Sequence, residues 1–175
     1  MDAVLWFLLL LFGAAADTIP FSSGEVAVRA GGLWPLGSLS RHYDPTLRGG
    51  ASLTMTHWGT VFSRADLAYA HLSGDVSESF LYGSAGFDWH PANVPVEPGV
   101  SLALVRVAST HPDPAVPRQI DGGETEFGLT FRTAVPVWRH GPWTVRLEGQ
   151  WDEVFTRPHA SAFAWAGLSL ARRAW

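Results

Sequence analysis

From Trp143 to Asp152 the chain alternates apolar and polar residues without a break. Trp143, Val145, Leu147, Gly149 and Trp151 share one phase; Thr144, Arg146, Glu148, Gln150 and Asp152 share the other. A period of two marks a strand whose two faces meet different surroundings. The same pattern recurs in three more segments. Leu81, Ala85, Phe87 and Trp89 alternate with Ser84, Asp88 and His90, and Ala65, Leu67 and Tyr69 with Arg64 and Asp66. Phe127, Leu129, Phe131 and Val135 alternate with Glu126, Thr130 and Arg132. Weaker runs cover 25–34, 50–58, 100–108 and 160–175. Beyond the first twenty residues no window of a dozen carries a 3.6-residue apolar repeat. The expectation is an all-β chain of about eight strands, each roughly eight to eleven residues long, which suits a tilted bilayer crossing. With no repeat or linker in view, one closed, up-and-down antiparallel barrel is the economical architecture.

The start of the chain is of another kind. Leu5 to Phe12 is an unbroken apolar run followed by Gly13, Ala14, Ala15, Ala16 and Asp17. A short apolar core ending in small residues is the pattern of a secretory signal peptide, and the run is shorter than the roughly 20 residues of a spanning helix. The segment before it carries no Lys or Arg. The chain is therefore divided into a leader over 1–16 and one barrel domain over 17–175, and export through an inner membrane is expected.

Composition excludes several classes. Without Asp2, which leaves with the leader, 15 of the 16 acidic residues face 12 cations, all Arg. A mildly acidic chain offers no electrostatic footing for nucleic acid. Cysteine is absent, so neither disulfides nor thiolate metal sites can form.

Alternation alone does not say which face is wet, because a soluble lipocalin-like barrel and a membrane barrel share it. Three features favour the membrane. The polar phase is rich in charge: Glu25, Arg29, Arg64, Asp66, Asp88, Glu126, Arg132, Arg146, Glu148 and Asp152. The tryptophans gather near strand ends, with Trp58, Trp89, Trp138, Trp143 and Trp175 at one rim and Trp34, Trp151 and Trp165 towards the other, as aromatic girdles do. Connection lengths also alternate. Outer loops near 35–49 and 109–125 are long, the opposite turns near 57–62 and 138–142 are tight, and Pro91 to Gly99 is a longer exception.

With these features the chain resembles the small outer-membrane barrels of the OmpA/OmpX type, over about Gly24 to Trp175. The closing strand, Phe163 to Trp175, ends on an aromatic residue, as such barrels commonly do. The resemblance implies residence in a bacterial outer membrane among lipid and lipopolysaccharide. It also implies that the barrel-insertion machinery reads the last strand through Trp175. One departure stands upstream: Arg173, Ala171 and Ser169 alternate back from Trp175, while Leu168 and Leu170 are out of phase. Either a bulge shifts the strand near Arg172 or the terminal signal is degenerate.

An eight-stranded barrel is just wide enough for side chains to fill, so the expected role is structural, anchoring or surface-interacting rather than that of a diffusion pore. A protein partner could meet the outer loops at 35–49 and 109–125, the latter rich in proline (Pro112, Pro114, Pro117). The competing class is a lipid A deacylase or acyltransferase. Ser52 and His57 lie five apart, hence on opposite faces. Asp88 and His90 share a face, as an acid–base pair requires, but lie at the inner rim. His42, His71, His111 and His159 each belong to a different outer loop or strand top, yet no short ligand spacing such as H-x-x-x-H occurs, and neither metal nor cofactor is expected.

The sharpest expectation concerns the lumen. A turn near residues 75–76 sets Arg64 opposite Asp88 and Tyr69 opposite Gly83. A turn at His140 sets Arg132 opposite Glu148 and Phe131 opposite Gly149. These four charges, with Arg29, Asp66, Arg146 and Asp152, should then face inward as a network. Leu67, Phe87, Leu129, Phe131, Val145 and Leu147 should face outward to lipid.

Overall fold

The computed structural model describes residues 23–58, 60–75, 77–109, 125–155 and 161–174. The leader, most of the 109–125 loop, His111, His159 and Trp175 lie outside the described residues, as do the side chains of His57 and Trp58.

Eight antiparallel strands follow one another around a closed barrel: β1 (Gly24–Leu36), β2 (Thr46–Trp58), β3 (Val61–Leu72), β4 (Glu78–Trp89), β5 (Glu97–Ser109), β6 (Thr125–His140), β7 (Trp143–Val154) and β8 (Ser161–Arg173). Each strand pairs with its sequence neighbours, and β1 also pairs with β8, so no edge is left to recruit another chain. The strands run 12 to 16 residues, longer than the alternation suggested, because pairing continues past the last clean apolar–polar step. β2, for example, starts at Thr46 and takes Arg48 out of the expected loop. That first loop shrinks to 37–45, with a short 3-10 turn at Leu39–Arg41.

Gly24 and Arg173 lie at one end of the barrel, here the terminal end, together with the connections at 59–60, 90–96 and 141–142. The loops 37–45 and 73–77 lie at the opposite, loop end. At the tightest terminal turn Gly141 adopts a φ of 55° as the first central residue of a two-residue hairpin, where a II′ geometry favours glycine.

Two registers differ from expectation by two residues. Arg64 pairs with Gly86 and Tyr69 with Leu81, while Arg132 pairs with Gln150 and Phe131 with Trp151. In the first hairpin the five-residue connection 73–77 is centred on Asp75. In the second, the turn is centred between Gly141 and Pro142 and not on His140, and the pairing then skips Val137 beside Pro136, which has no N–H to give the ladder, bringing the shift to two. A shift of two keeps every side chain on the face it would have had without the shift.

The division is inverted relative to a soluble protein. Arg29, Arg64, Asp66, Asp88, Arg132, Arg146, Glu148 and Asp152 are all buried inside. Outside, Leu67, Phe87, Phe131 and Leu147 are more than half exposed, and Leu129 and Val145 lie on the same outer face. Val28, Leu102, Phe127 and Leu168 extend this apolar wall. Contiguous exposed apolar surface on this scale is not carried by soluble monomers.

β8 pairs residue by residue with β1 through Arg173, without a bulge. Its phase follows Leu168 and Leu170, which are exposed, while Ser169 and Ala171 are buried inside. The same phase turns Trp165 inward. At 2% exposure it belongs to the lumen, not to an aromatic girdle as the sequence suggested. The other described tryptophans are outside: Trp89, Trp138 and Trp143 near the terminal end, Trp34 and Trp151 towards the loop end. The Trp34 ring lies over Gly32, covering backbone that a side chain would otherwise shield.

Candidate functional site: a layered, charge-filled lumen

The lumen has four layers. At the loop end it is apolar: Leu33, Leu72, Phe80, Val154 and Phe163 close in from the wall, and Leu39 and Tyr43 descend from the first loop. Phe80 and Phe163 meet at a centroid distance of 5.1 Å. The first loop is tied down by Asp44 N–H donating to the Ser73 carbonyl at 2.7 Å and Asp75 N–H to the His42 carbonyl at 2.9 Å. Tyr43 donates its hydroxyl to the Glu78 carboxylate at 2.5 Å. Burial, helped by that neighbouring carboxylate, pushes the Tyr43 phenol well above its ordinary pKa, so it remains a donor. This apolar cap was not legible in the alternation, since its wall residues occupy the phase that is polar in mid-strand.

Below the cap, two aromatic faces receive guanidinium groups. Arg48 lies 4.0 Å from the Tyr82 ring centroid and donates to Asp152 at 2.8 Å. Arg29 lies 4.5 Å from the Trp165 centroid. Desolvated cation–π contacts of this type contribute about 2 kcal/mol. Asp152 also accepts from Thr130 at 2.7 Å and from the Gln150 amide at 2.7 Å.

The third layer holds three arginines and three carboxylates. Asp66 accepts from Arg29 at 2.7 Å and from Arg64 at 2.7–3.0 Å. Glu148 faces Arg29 at 3.1 Å, and Arg64 and Arg132 at 3.6 Å each. Asp88 is held by Arg132 and lies 3.6 Å from Arg64. Directly opposed backbone positions are therefore unnecessary: long guanidinium arms span the diagonal left by the two-residue register shift. Such burial is tolerable only because the charges balance, since removing ions from water costs several kcal/mol apiece. Gly99 faces Asp88 across β4 and β5, and a Cβ there would collide with the Asp88 carboxylate.

Towards the terminal end Arg146 bridges Glu25 at 2.6 Å and Glu97 at 2.9 Å. Glu97 also meets Arg139 at 3.6 Å and His90 at 3.7 Å, and His90 stacks on Phe62 at 4.0 Å. Arg48, Glu97 and Tyr82 complete this interior without having been singled out in the sequence, and Trp165, expected in a girdle, joins them. Arg48 and Glu97 lay in expected connections, Tyr82 has no charge, and Trp165 sat in the wrong phase.

Among the described residues the hydrolytic pairings do not assemble; the His57 side chain lies outside them. Asp88 is committed to arginines, while His90 faces Glu97 beyond the strand end. Ser52 is buried in the lumen. His71 meets the Ser77 hydroxyl at 3.1 Å and His42 meets Asp75 at 3.2 Å, so hydroxyl and carboxylate partners fall to different histidines. Among the described residues no three metal-ligating side chains converge.

A closed eight-stranded antiparallel barrel with charges inside and an apolar wall outside defines a class of protein built for a lipid surround. No family model and no curated protein matches the chain. Solved structures do. Neisserial surface protein A superposes with a TM-score of 0.62 at 13% identity, covering 85% of this chain and 96% of that one. The N-terminal β-barrel domain of Pseudomonas aeruginosa OprF gives 0.56 at 15% identity, covering 84% and 96%. The outer membrane protein Ail of Yersinia pestis gives 0.54 at 9%, covering 86% and 99%. The chain thus has the fold of the small eight-stranded outer-membrane β-barrels.

Proposed function

We propose that this protein is an integral barrel of a bacterial outer membrane with a structural, anchoring or surface-interaction role, non-catalytic and closed to diffusion. The observation that carries this reading is the neutral triplet of Arg29, Arg64 and Arg132 with Asp66, Asp88 and Glu148, which crosses the lumen beneath an apolar cap. Charges placed this way in the interior, behind a wall of exposed Leu, Val and Phe, suit a barrel whose solvent is lipid and whose centre is plugged by its own side chains. Its surroundings would be outer-membrane lipid and lipopolysaccharide. The strand ending at Trp175 would serve the insertion machinery, and the loops at 37–45 and 110–124 would offer surface for a protein partner. Expression of the full chain in a Gram-negative host, followed by membrane fractionation and liposome swelling, tests the reading. Heat-modifiable protein in the outer-membrane fraction, without swelling in small sugars, is expected. Soluble periplasmic protein, or sugar-permeable liposomes, would overturn it.

A further inference from the structure

The described residues do not fill the lumen to both ends. Above the Arg146 bridge, at the terminal end, a cavity of about 280 Å³ opens between the starts of β1 and β3, the end of β2 and the β6–β7 turn. Arg146 on its floor is neutralised by Glu25 and Glu97. Two further guanidinium groups line the same space with little to hold them. The Arg139 side chain is 65% exposed, with one long contact of 3.6 Å to Glu97. Arg173 has no side-chain partner among the described residues. Thr54 and Thr144, each with a hydroxyl, also border the cavity. Three arginines against two glutamates leave one positive charge at the mouth of a partly enclosed cavity, where field lines concentrate.

We infer that this vestibule is a binding site for a phosphate-class oxyanion, held between Arg139 and Arg173 with the hydroxyls of Thr54 and Thr144. Every unused polar group there can donate, so the complement is a ligand made of acceptors with negative charge. Two guanidinium forks approaching one cavity from different strands suit a tetrahedral anion, which accepts from several directions, better than a planar carboxylate. The buried carboxylates do not forbid it, because Arg146 already occupies both. The inference needs only the closed barrel and stands apart from the proposed location and role.

Inorganic phosphate titrated into the full chain, refolded in phosphate-free maltoside micelles, is the test, read by calorimetry and by the Gly141 amide shift. Saturable binding is expected, weakened about tenfold or more in the Arg139→Gln/Arg173→Gln double variant. Arg41→Gln, at the opposite end, should bind as the parent does. Both altered arginines are at the rim, and a retained heat shift on gels certifies that the double variant is folded. Repeating the titration in nanodiscs identifies the source of the anion. Weaker phosphate binding in phosphatidylglycerol than in phosphatidylcholine means that a lipid headgroup fills the same site, and equal binding assigns it to a soluble phosphate compound. No saturable binding, or equal binding by the folded double variant, would overturn the inference.

Discussion

The guanidinium of Arg29 lies 4.5 Å from the ring centroid of Trp165, inside the barrel, and its other arm reaches Asp66 at 2.7 Å. This contact makes Trp165 unlike the tryptophans on the outer wall. In liposomes containing brominated lipid, Trp89, Trp138, Trp143, Trp34 and Trp151 should be quenched and Trp165 should not. Trp165→Phe is therefore expected to raise the quenchable fraction of the fluorescence, because it removes a protected emitter. A fall in that fraction would place Trp165 against lipid.

Glu148 is the carboxylate that pairs electrostatically with Arg29, Arg64 and Arg132. Glu148→Gln keeps the shape but leaves three guanidinium groups facing two carboxylates. Breaking a buried network in this way costs about 3–5 kcal/mol. The urea midpoint of the refolded barrel should fall accordingly, whereas Glu153→Gln, at the outer face beside Trp151, should shift it by less than about 1 kcal/mol.

Gly99 owes its identity to Asp88. A methyl group there meets the Asp88 carboxylate, so Gly99→Ala should destabilise by about 1–3 kcal/mol through overpacking. Gly49→Ala, where the nearest atom to the added Cβ is 3.8 Å away, is the matched control and should fold normally. Equal urea midpoints for the two variants would contradict the packing at β4 and β5.

Phase was legible in the sequence and register was not. The alternation from Trp143 to Asp152 placed Arg146, Glu148 and Asp152 inside because the period of a strand is fixed by its backbone. Pairing depends instead on where a turn is centred, and Val137 beside Pro136 gave no local sign of an extra residue. The contacts between the partnered strands survived, since arginine arms reach diagonally. Trp165 went astray for a different reason. Small residues, Ala162, Ala164 and Ala166, occupy the outer face of β8, so bulk alone pointed to the wrong side. The apolar cap was hidden because Leu33, Leu72 and Phe80 lie on the same phase as charges only a few residues away.

His90 gives the fold a pH dependence of known sign. Burial holds its pKa below the ordinary histidine value, opposed in part by Glu97 and Asp88. The unfolded chain therefore takes up the proton first as pH falls. Stability from the neutral ring is complete above about pH 6.5 and is lost as the pH drops below it. The urea midpoint should decrease between pH 7.5 and 5.5, and His90→Gln should show a shallower decrease. An identical slope in the variant would show that His90 does not contribute.

The central claim is that the wall formed by Leu67, Leu102 and Leu147 faces lipid while the charges face inward. The absence of native cysteine permits a direct measurement. Leu67→Cys, Leu102→Cys and Leu147→Cys, each spin-labelled and reconstituted in liposomes, report relative collision with oxygen and with a water-soluble nickel chelate. High oxygen and low nickel accessibility at all three sites is the expected result. Nickel accessibility equal to that of a label on the exposed loop residue Ser40 would contradict it, and the barrel would have to be soluble.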